Sequence, residues 1–489
     1  MVDDTYDVIV VGAGPGGLAC SARLAHRGMR VLLAERSEHV GGKAVRGERD
    51  GFRYELGPKL QVPAQGPAFA ELFAELGISD KLRQLTLNGV IQAYRPAGET
   101  EYRMKVSEGD QSSDGTEQFD LWGLDDDERR RATEIMGEMV SLTGPQLDEL
   151  DDVSMKQYLE RFPDIPFALW NYMGMHSNAS LAEPFDQVAA SEQVKILQQL
   201  AFQGGAAYYE GGFGRMLDDL ADRFVELGGD LRTGVSVDRI DIADGCVKGI
   251  TTSAGTFTAA AVVSDAGIQP TILKLAGAEH FPDEYVEYVR KLEPGWGWAS
   301  IRYYLSRKVL DASMAMIYSD DTWYTTERYD RLRRGEWDDD VIVFLTIPGN
   351  LDPSMSPPGK QCIVSGSICS PDPEAAEIED IYRRIDATIG KIFPEVMEAV
   401  EHRVTEGPRE VSQHTRDSAV PGAGGECVGI GQIVGQCGTH KPSPITPVQD
   451  LYICGADAGF EGMGTHQACG SGMRVAAIVN ERLTHPSLR

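Results

Sequence analysis

No C-x-x-C pair occurs in this 489-residue chain, and its eight cysteines are scattered from Cys20 to Cys469. Neither a disulfide framework nor a zinc site is expected, and no metal ligands are assigned. Cys246, Cys362 and Cys454 stand in apolar strand contexts and read as buried thiols. Long hydrophobic runs are also missing: no uninterrupted apolar stretch approaches the roughly 20 residues of a membrane helix. The chain passes from acidic Val2-Asp3-Asp4 straight into a strand, without a basic and apolar leader. A cytoplasmic, reducing setting is expected, with peripheral membrane contact through an apolar patch left open. Basic charge is in deficit: 46 Lys and Arg stand against 75 Asp and Glu, a formal net charge of −29. That argues against a nucleic-acid partner and against binding anionic membranes by charge alone. No Ser/His/Asp or Cys/His set suggests a nucleophilic triad. What remains is ordinary for a folded protein, with enough length for more than one domain; oligomeric state is left unassigned.

Against these absences stands one dense segment, Asp7-Val8-Ile9-Val10-Val11-Gly12-Ala13-Gly14-Pro15-Gly16-Gly17-Leu18. A β-branched run enters three spaced glycines, and a helix-forming stretch, Leu18 to His26, follows at once. Gly12 allows the tight turn, Gly14 lets backbone approach a pyrophosphate, and Gly17 lets helix and strand lie close. The diphosphate then meets the free N–H groups and positive end of that helix. A second apolar strand, Val31-Leu32-Leu33-Ala34, ends in Glu35, about 20 residues on, where a carboxylate accepts from an adenosine ribose. Strand, glycines, helix, strand and acid in this order indicate an α/β dinucleotide-binding unit. NAD and FAD share the adenosine diphosphate, so this unit alone does not separate them.

The following residues do. Arg36-Ser37-Glu38-His39-Val40-Gly41-Gly42-Lys43-Ala44 places a second glycine pair behind the ribose acid, and Gly51-Phe52-Arg53-Tyr54-Glu55-Leu56-Gly57-Pro58 follows. Near the other end, Asp450-Leu451-Tyr452-Ile453-Cys454-Gly455-Ala456-Asp457 reads as a buried strand ending in an acid. Gly459 to His466 and a helical run, Gln467 to Leu483, come next. With these motifs the chain resembles the FAD-dependent amine oxidase and phytoene desaturase superfamily, most closely its phytoene desaturase-like members. The resemblance implies FAD as cofactor. It implies that the loop Gly12, Gly14, Pro15, Gly16 and Gly17, with Arg36, Gly41, Gly42 and Lys43, surrounds the diphosphate and ribityl chain. It further implies that Gly57, Pro58 and Lys59 turn toward the flavin ring, and that the backbone at Val237 contacts adenine. Gly455 and Asp457 would stand by the ribityl and diphosphate region, with Gly464, Thr465 and His466 facing the flavin. The acid usual before the Gly-Pro turn is Asp; Glu55 departs from it.

The implied architecture is a Rossmann-like FAD-binding domain (GR2-type) with a discontinuous substrate domain of mixed sheet and helices. Residues 1–97, 206–267 and 416–489 are expected to form the first, and 98–205 and 268–415 the second, with a helical insertion over 120–205. Within them, helices are expected over Asp125–Ser141, Ser191–Phe202, Leu217–Leu227 and Glu374–Ile392. Strands are expected over Ala299–Leu305, Val341–Ile347 and Gln361–Ser367. The Val235-x-Val237-x-x-Ile240 spacing suggests a half-buried strand running through Asp230–Ile240.

A flavin in this setting exchanges hydride at N5 with a C–H bond, chemistry that requires positioning and exclusion of water more than a protein nucleophile. Lys59 and His466 are the catalytic candidates. Lys59 could hold a water or stabilise an anionic flavin, against a plain ion pair. His466 could shuttle a proton, against capping the last helix. His440 and Lys441 are weaker candidates. Trp296, Trp298, Tyr303, Tyr304, Tyr318, Trp323 and Tyr324 read mostly as core, with a minority free to line an apolar tunnel. The leading expectation is a desaturase or saturase acting on a small hydrophobic, unsaturated substrate. A double-bond isomerase without net redox, an amine oxidase, and a cofactor-free binder of prenylated partners like the Rab escort proteins are the alternatives.

Overall fold

The structure, a computed structural model, describes residues 5–44, 46–55, 60, 67–107, 117–202, 206–337, 340–415, 418–459, 462 and 464–485. Its first sheet is centred on strand Thr5–Val11. This strand pairs in parallel with Val31–Ala34 on one side and Gly255–Ser264 on the other. Asp230–Arg232 extends the sheet in parallel beyond Val31–Ala34, and Leu451–Ile453 pairs in parallel with the end of Gly255–Ser264. Antiparallel Cys246–Thr252 and Val237–Ala243 complete it. Both faces are covered, which is why the first strands are unbroken apolar runs. Val8 and Val10 pack under helices Pro15–His26, Gly212–Glu226 and Gly464–Thr484. Ile9 and Val11 face the opposite core with Ile268, Ile272 and Val289. Period-2 alternation distributes one run between two cores.

The second sheet is mixed, in the order Val400–Glu406, Gly297–Leu305, Gln361–Cys369, Val343–Thr346, Met314–Ser319, Val90–Arg95 and Arg103–Ser107. Helix Ile378–Ile392 packs Ile381, Ile385 and Ile389 into its core, together with the helices of 117–202. Strand Val90–Arg95 joins this sheet although it lies before position 97, pairing in parallel with Met314–Ser319. Local chemistry sets several boundaries. Asp125 accepts from the N–H groups of Asp127 and Glu128, and Glu128 accepts in return from Asp125 N, so the helix begins at Asp126.

One expected element is divided. Asp230–Ile240 is not a continuous strand: Asp230–Arg232 ends, and Val237–Ala243 begins a new one. Gly234, at φ +68°, turns the chain around the loop after Glu35. Gly234 N donates to Ser37 O at 2.9 Å and Val235 N to Glu35 O at 2.8 Å. Val235 and Val237 are half-buried and Ile240 is buried, but the hydrogen bonds of the middle residues go to the loop of Glu35 and Ser37 instead.

Candidate functional site

Three distant glycine segments meet backbone to backbone. Gly41 N donates to Ala13 O at 2.8 Å, fixing the second glycine pair against the first loop. A Cβ on Gly42 would stand 3.3 Å from Gly14 Cα, and one on Gly16 would stand 2.8 Å from the backbone of Gly455. A Cβ on Gly17 would collide with the carbonyl of Gly12. Gly14 is the N-cap of helix Pro15–His26 and supplies no side chain, so the cap residue itself covers none of the first-turn N–H groups.

A long groove runs over this junction. Gly12, Gly14, Pro15, Glu35, Arg36, Gly42 and Lys43 line it from the N-terminal segments, and Val237 from the middle one. Gly455, Asp457, Gly464 and Thr465 line it from the last segment. Gly16, Gly17 and Gly41 are not among its lining residues. Gly57, Pro58 and Lys59 lie outside the described residues. His466 is buried at the start of the last helix and is not part of the groove's lining. Burial pushes its pKa down to about 4, so it is neutral at neutral pH and does not titrate near 6.5. His440 is on the surface, paired with Asp152 at 3.0 Å. Tyr303, Tyr304, Tyr318 and Tyr324 are buried; Tyr303, Tyr318 and Tyr324 belong to the large core of the second sheet, Tyr304 to a small cluster with Phe52.

Three charged groups at the groove have structural tasks. Glu35 Oε2 accepts from Ala13 N and Oε1 from Ser37 N, both at 2.8 Å, which holds the acid at the groove's edge. Asp457 accepts from Ile268 N and Ile430 N at 2.9 Å, joining three segments. Lys43 Nζ donates to the carbonyls of Glu426 and Val428, pinning the strip that precedes the last strand.

Sequence reasoning passed over Asp265, His414, Thr415, Cys427 and Val428, all in the lining. Asp265 was within reach, because it directly follows a parallel strand, and such carboxyl ends border the crevice of an open α/β sheet. Its Oδ2 accepts from Gly17 N at 2.9 Å. Burial pushes its pKa up to about 7; the Gly17 hydrogen bond opposes this, and the charges of Glu35 and Asp457 add to it. His414 and Thr415 end a short helix with no local signal for a site.

The family described as flavin containing amine oxidoreductase matches residues 15–480 of this chain. The chain belongs to the flavin-containing amine oxidoreductase family. Among similar proteins, a phytoene desaturase of Fusarium fujikuroi is 26% identical over 404 residues, covering 74% of this chain and 66% of that protein. The chain thus spans just under two thirds of that relative's length. Prolycopene isomerase 2, chloroplastic, of an Oncidium hybrid cultivar is 25% identical over 526 residues, covering 97% of this chain and 83% of that protein. The crystal structure of an oxidoreductase from Methanosarcina mazei superposes with a TM-score of 0.73 at 19% identity, covering 96% of this chain and all of that one. As a family member the chain is a flavin oxidoreductase. The flavin is FAD, and a groove over a glycine loop and helix start, with Glu35 at one edge, has the form that its adenosine diphosphate half requires. The glycine contacts fit that cofactor: any Cβ at Gly14, Gly16 or Gly42 would intrude on the cradle or its supports.

Proposed function

We propose that this flavin oxidoreductase is a desaturase or saturase for a small hydrophobic, unsaturated substrate, with FAD supplying at its ring the partner for hydride transfer. The single observation carrying this reading is the groove in which both termini converge, in a chain whose relatives are named for polyene substrates. Gly12, Gly14, Pro15, Gly42 and Lys43 would hold the diphosphate, Glu35 the ribose and Val237 the adenine end. Gly455, Asp457, Gly464 and Thr465 would hold the opposite half. The residues 98–205 and 268–415 would shelter the substrate, with Val90–Arg95 lent to their sheet. Neutral His466 is suited to orient by hydrogen bonding; its lowered pKa makes it neither an acid nor a ready base at neutral pH. Anaerobic mixing with polyenes, cyclic enones and amines tests the reading. A product two hydrogens lighter with loss of the oxidised flavin's visible absorbance, or two hydrogens heavier with return of that absorbance from pre-reduced flavin, is expected with a polyene or enone; rapid reduction by amines alone would sink it.

The isomerase reading has its own support, since the Oncidium isomerase matches nearly the whole chain. A product of unchanged mass, formed only with pre-reduced cofactor, would select it.

Substrate access from a membrane surface belongs to the same proposal. No described helix is long and apolar enough to cross a membrane. Met104 and Val106, 51% and 62% exposed, lie on one face of the edge strand Arg103–Ser107. Co-sedimentation with zwitterionic vesicles, reduced several-fold in Met104→Ser/Val106→Ser, is expected; equal recovery of the two proteins in the supernatant would exclude this contact.

A further inference from the structure

Among the described residues three carboxylates border the groove, and they are unequally satisfied. Glu35 and Asp457 each use both oxygens to accept backbone N–H groups. Asp265 accepts one, from Gly17, and shares a contact with the Cys454 thiol. Its Oδ1 stands against Gly455, where a Cβ would collide, and its Oδ2 lies 2.5 Å from where a Cβ on Gly14 would be. Gly17 belongs to the first turn of helix Pro15–His26. A carboxylate of this chain therefore already occupies the anion-binding helix end that a dinucleotide diphosphate must use.

The groups facing Asp265 do not offset its charge in a simple way. From the helix comes Cys20 and from the last strand Cys454; burial pushes both thiols up, so they are neutral. Glu35 and Asp457 add negative charge. On the positive side the groove is bordered by Arg36 and Lys43, the latter donating to the carbonyls of Glu426 and Val428, and by exposed His414. Burial and the two acids together push the Asp265 carboxyl up to about 7 in the cofactor-free chain.

Resting on the FAD reading above, we propose that Asp265 is the residue that links cofactor binding to pH: it carries a proton whenever FAD occupies the groove. A diphosphate brought to the same helix end raises the affinity of Asp265 for its proton. Below the free chain's titration the proton is already present and binding is strongest. As pH rises through that titration, binding requires uptake of a proton from solvent, and affinity falls by about tenfold per pH unit. Asp265→Asn keeps the shape and carries no charge, so its affinity stays level.

The test uses apoprotein titrated with FAD by flavin fluorescence, from about pH 5.5 to 8.5 at constant ionic strength. The expected result is a wild-type Kd that is level on the acid side and rises roughly tenfold per unit on the alkaline side. Asp265→Asn should give a Kd level throughout and lower than wild type at the alkaline end. Independently of any variant, weakly buffered wild type mixed with FAD should take up close to one proton at about pH 8 and almost none at about pH 6, read with an indicator dye. A level wild-type Kd without proton uptake overturns the proposal and leaves the FAD reading standing. Absence of FAD binding at every pH overturns both.

Discussion

Gly16→Ala is expected to yield protein with less than about a tenth of its flavin. A Cβ at Gly16 lies 2.7 Å from Asp265 Oδ1 and 2.8 Å from both N and Cα of Gly455. The side-chain contact can yield by rotation. The backbone contact cannot, so the start of helix Pro15–His26 must part from the turn after Leu451–Ile453. That separation spreads the groove where the diphosphate loop and the last segment meet. Overpacking of this kind costs about 1–3 kcal/mol in stability, and misplaced donors cost the cofactor its cradle. Visible flavin absorbance per mole of protein, with the thermal midpoint of the apoprotein, reads both effects. Gly137→Ala is the matched control: it sits in helix Asp126–Ser141 with open space around its would-be Cβ. There alanine is expected to keep full flavin and add about 0.5–1 kcal/mol. Wild-type flavin content in Gly16→Ala would refute the argument.

Removing the acids at the start of helix Gly212–Glu226 is the second large effect. Glu55 Oε1 accepts from Phe213 N, and Asp352 Oδ2 accepts from Gly211 N at 2.7 Å. Both acids are buried, and both Gly211 and Gly212 have φ near +80°. Glu55 ends the hairpin strand Phe52–Glu55, whereas Asp352 comes from the proline-rich turn between two strands of the second sheet. The helix start is thus clamped from both halves of the molecule. Glu55→Ala leaves the buried Phe213 N–H, and Asp352→Ala the half-buried Gly211 N–H, without its acceptor, at a cost of roughly 1–3 kcal/mol each. Because both hold the same turn, the double variant should lose less than the sum of the singles. Denaturant midpoints of the four proteins measure this; additive losses would show that the two acids act separately.

The clamp also gives Glu55, the motif residue that departs from the resemblance, a task in this fold. The longer side chain of Glu55 reaches the helix start across the fold, a relation between residues 158 positions apart that no local pattern displays. The FAD half was legible because its demands are local: Gly12 needs φ of +95°, Gly14 must leave N–H groups uncovered, and Glu35 must end a strand. The split of Asp230–Ile240 was hidden, since the hydrogen bonds that break it come from Glu35 and Ser37, far away in sequence. The membership of Val90–Arg95 in the second sheet was hidden for the same reason, its partner being Met314–Ser319. His466 was singled out by its motif, but its place outside the groove's lining and its neutral state depend on burial that only packing creates. Asp265 was missed although its position past a parallel strand was readable.

The lateness of strand Leu451–Ile453 has a consequence for how the molecule is made. Its docking beside Gly255–Ser264, and the seating of Gly455 on Gly16, complete a floor laid down by the earliest residues. During synthesis the two-faced first sheet must wait, with one border unpaired, while the ribosome works through the whole second sheet. The complete groove therefore forms only once this strand has emerged and docked, and until then the nascent chain carries an unpaired sheet border of the kind that invites aggregation.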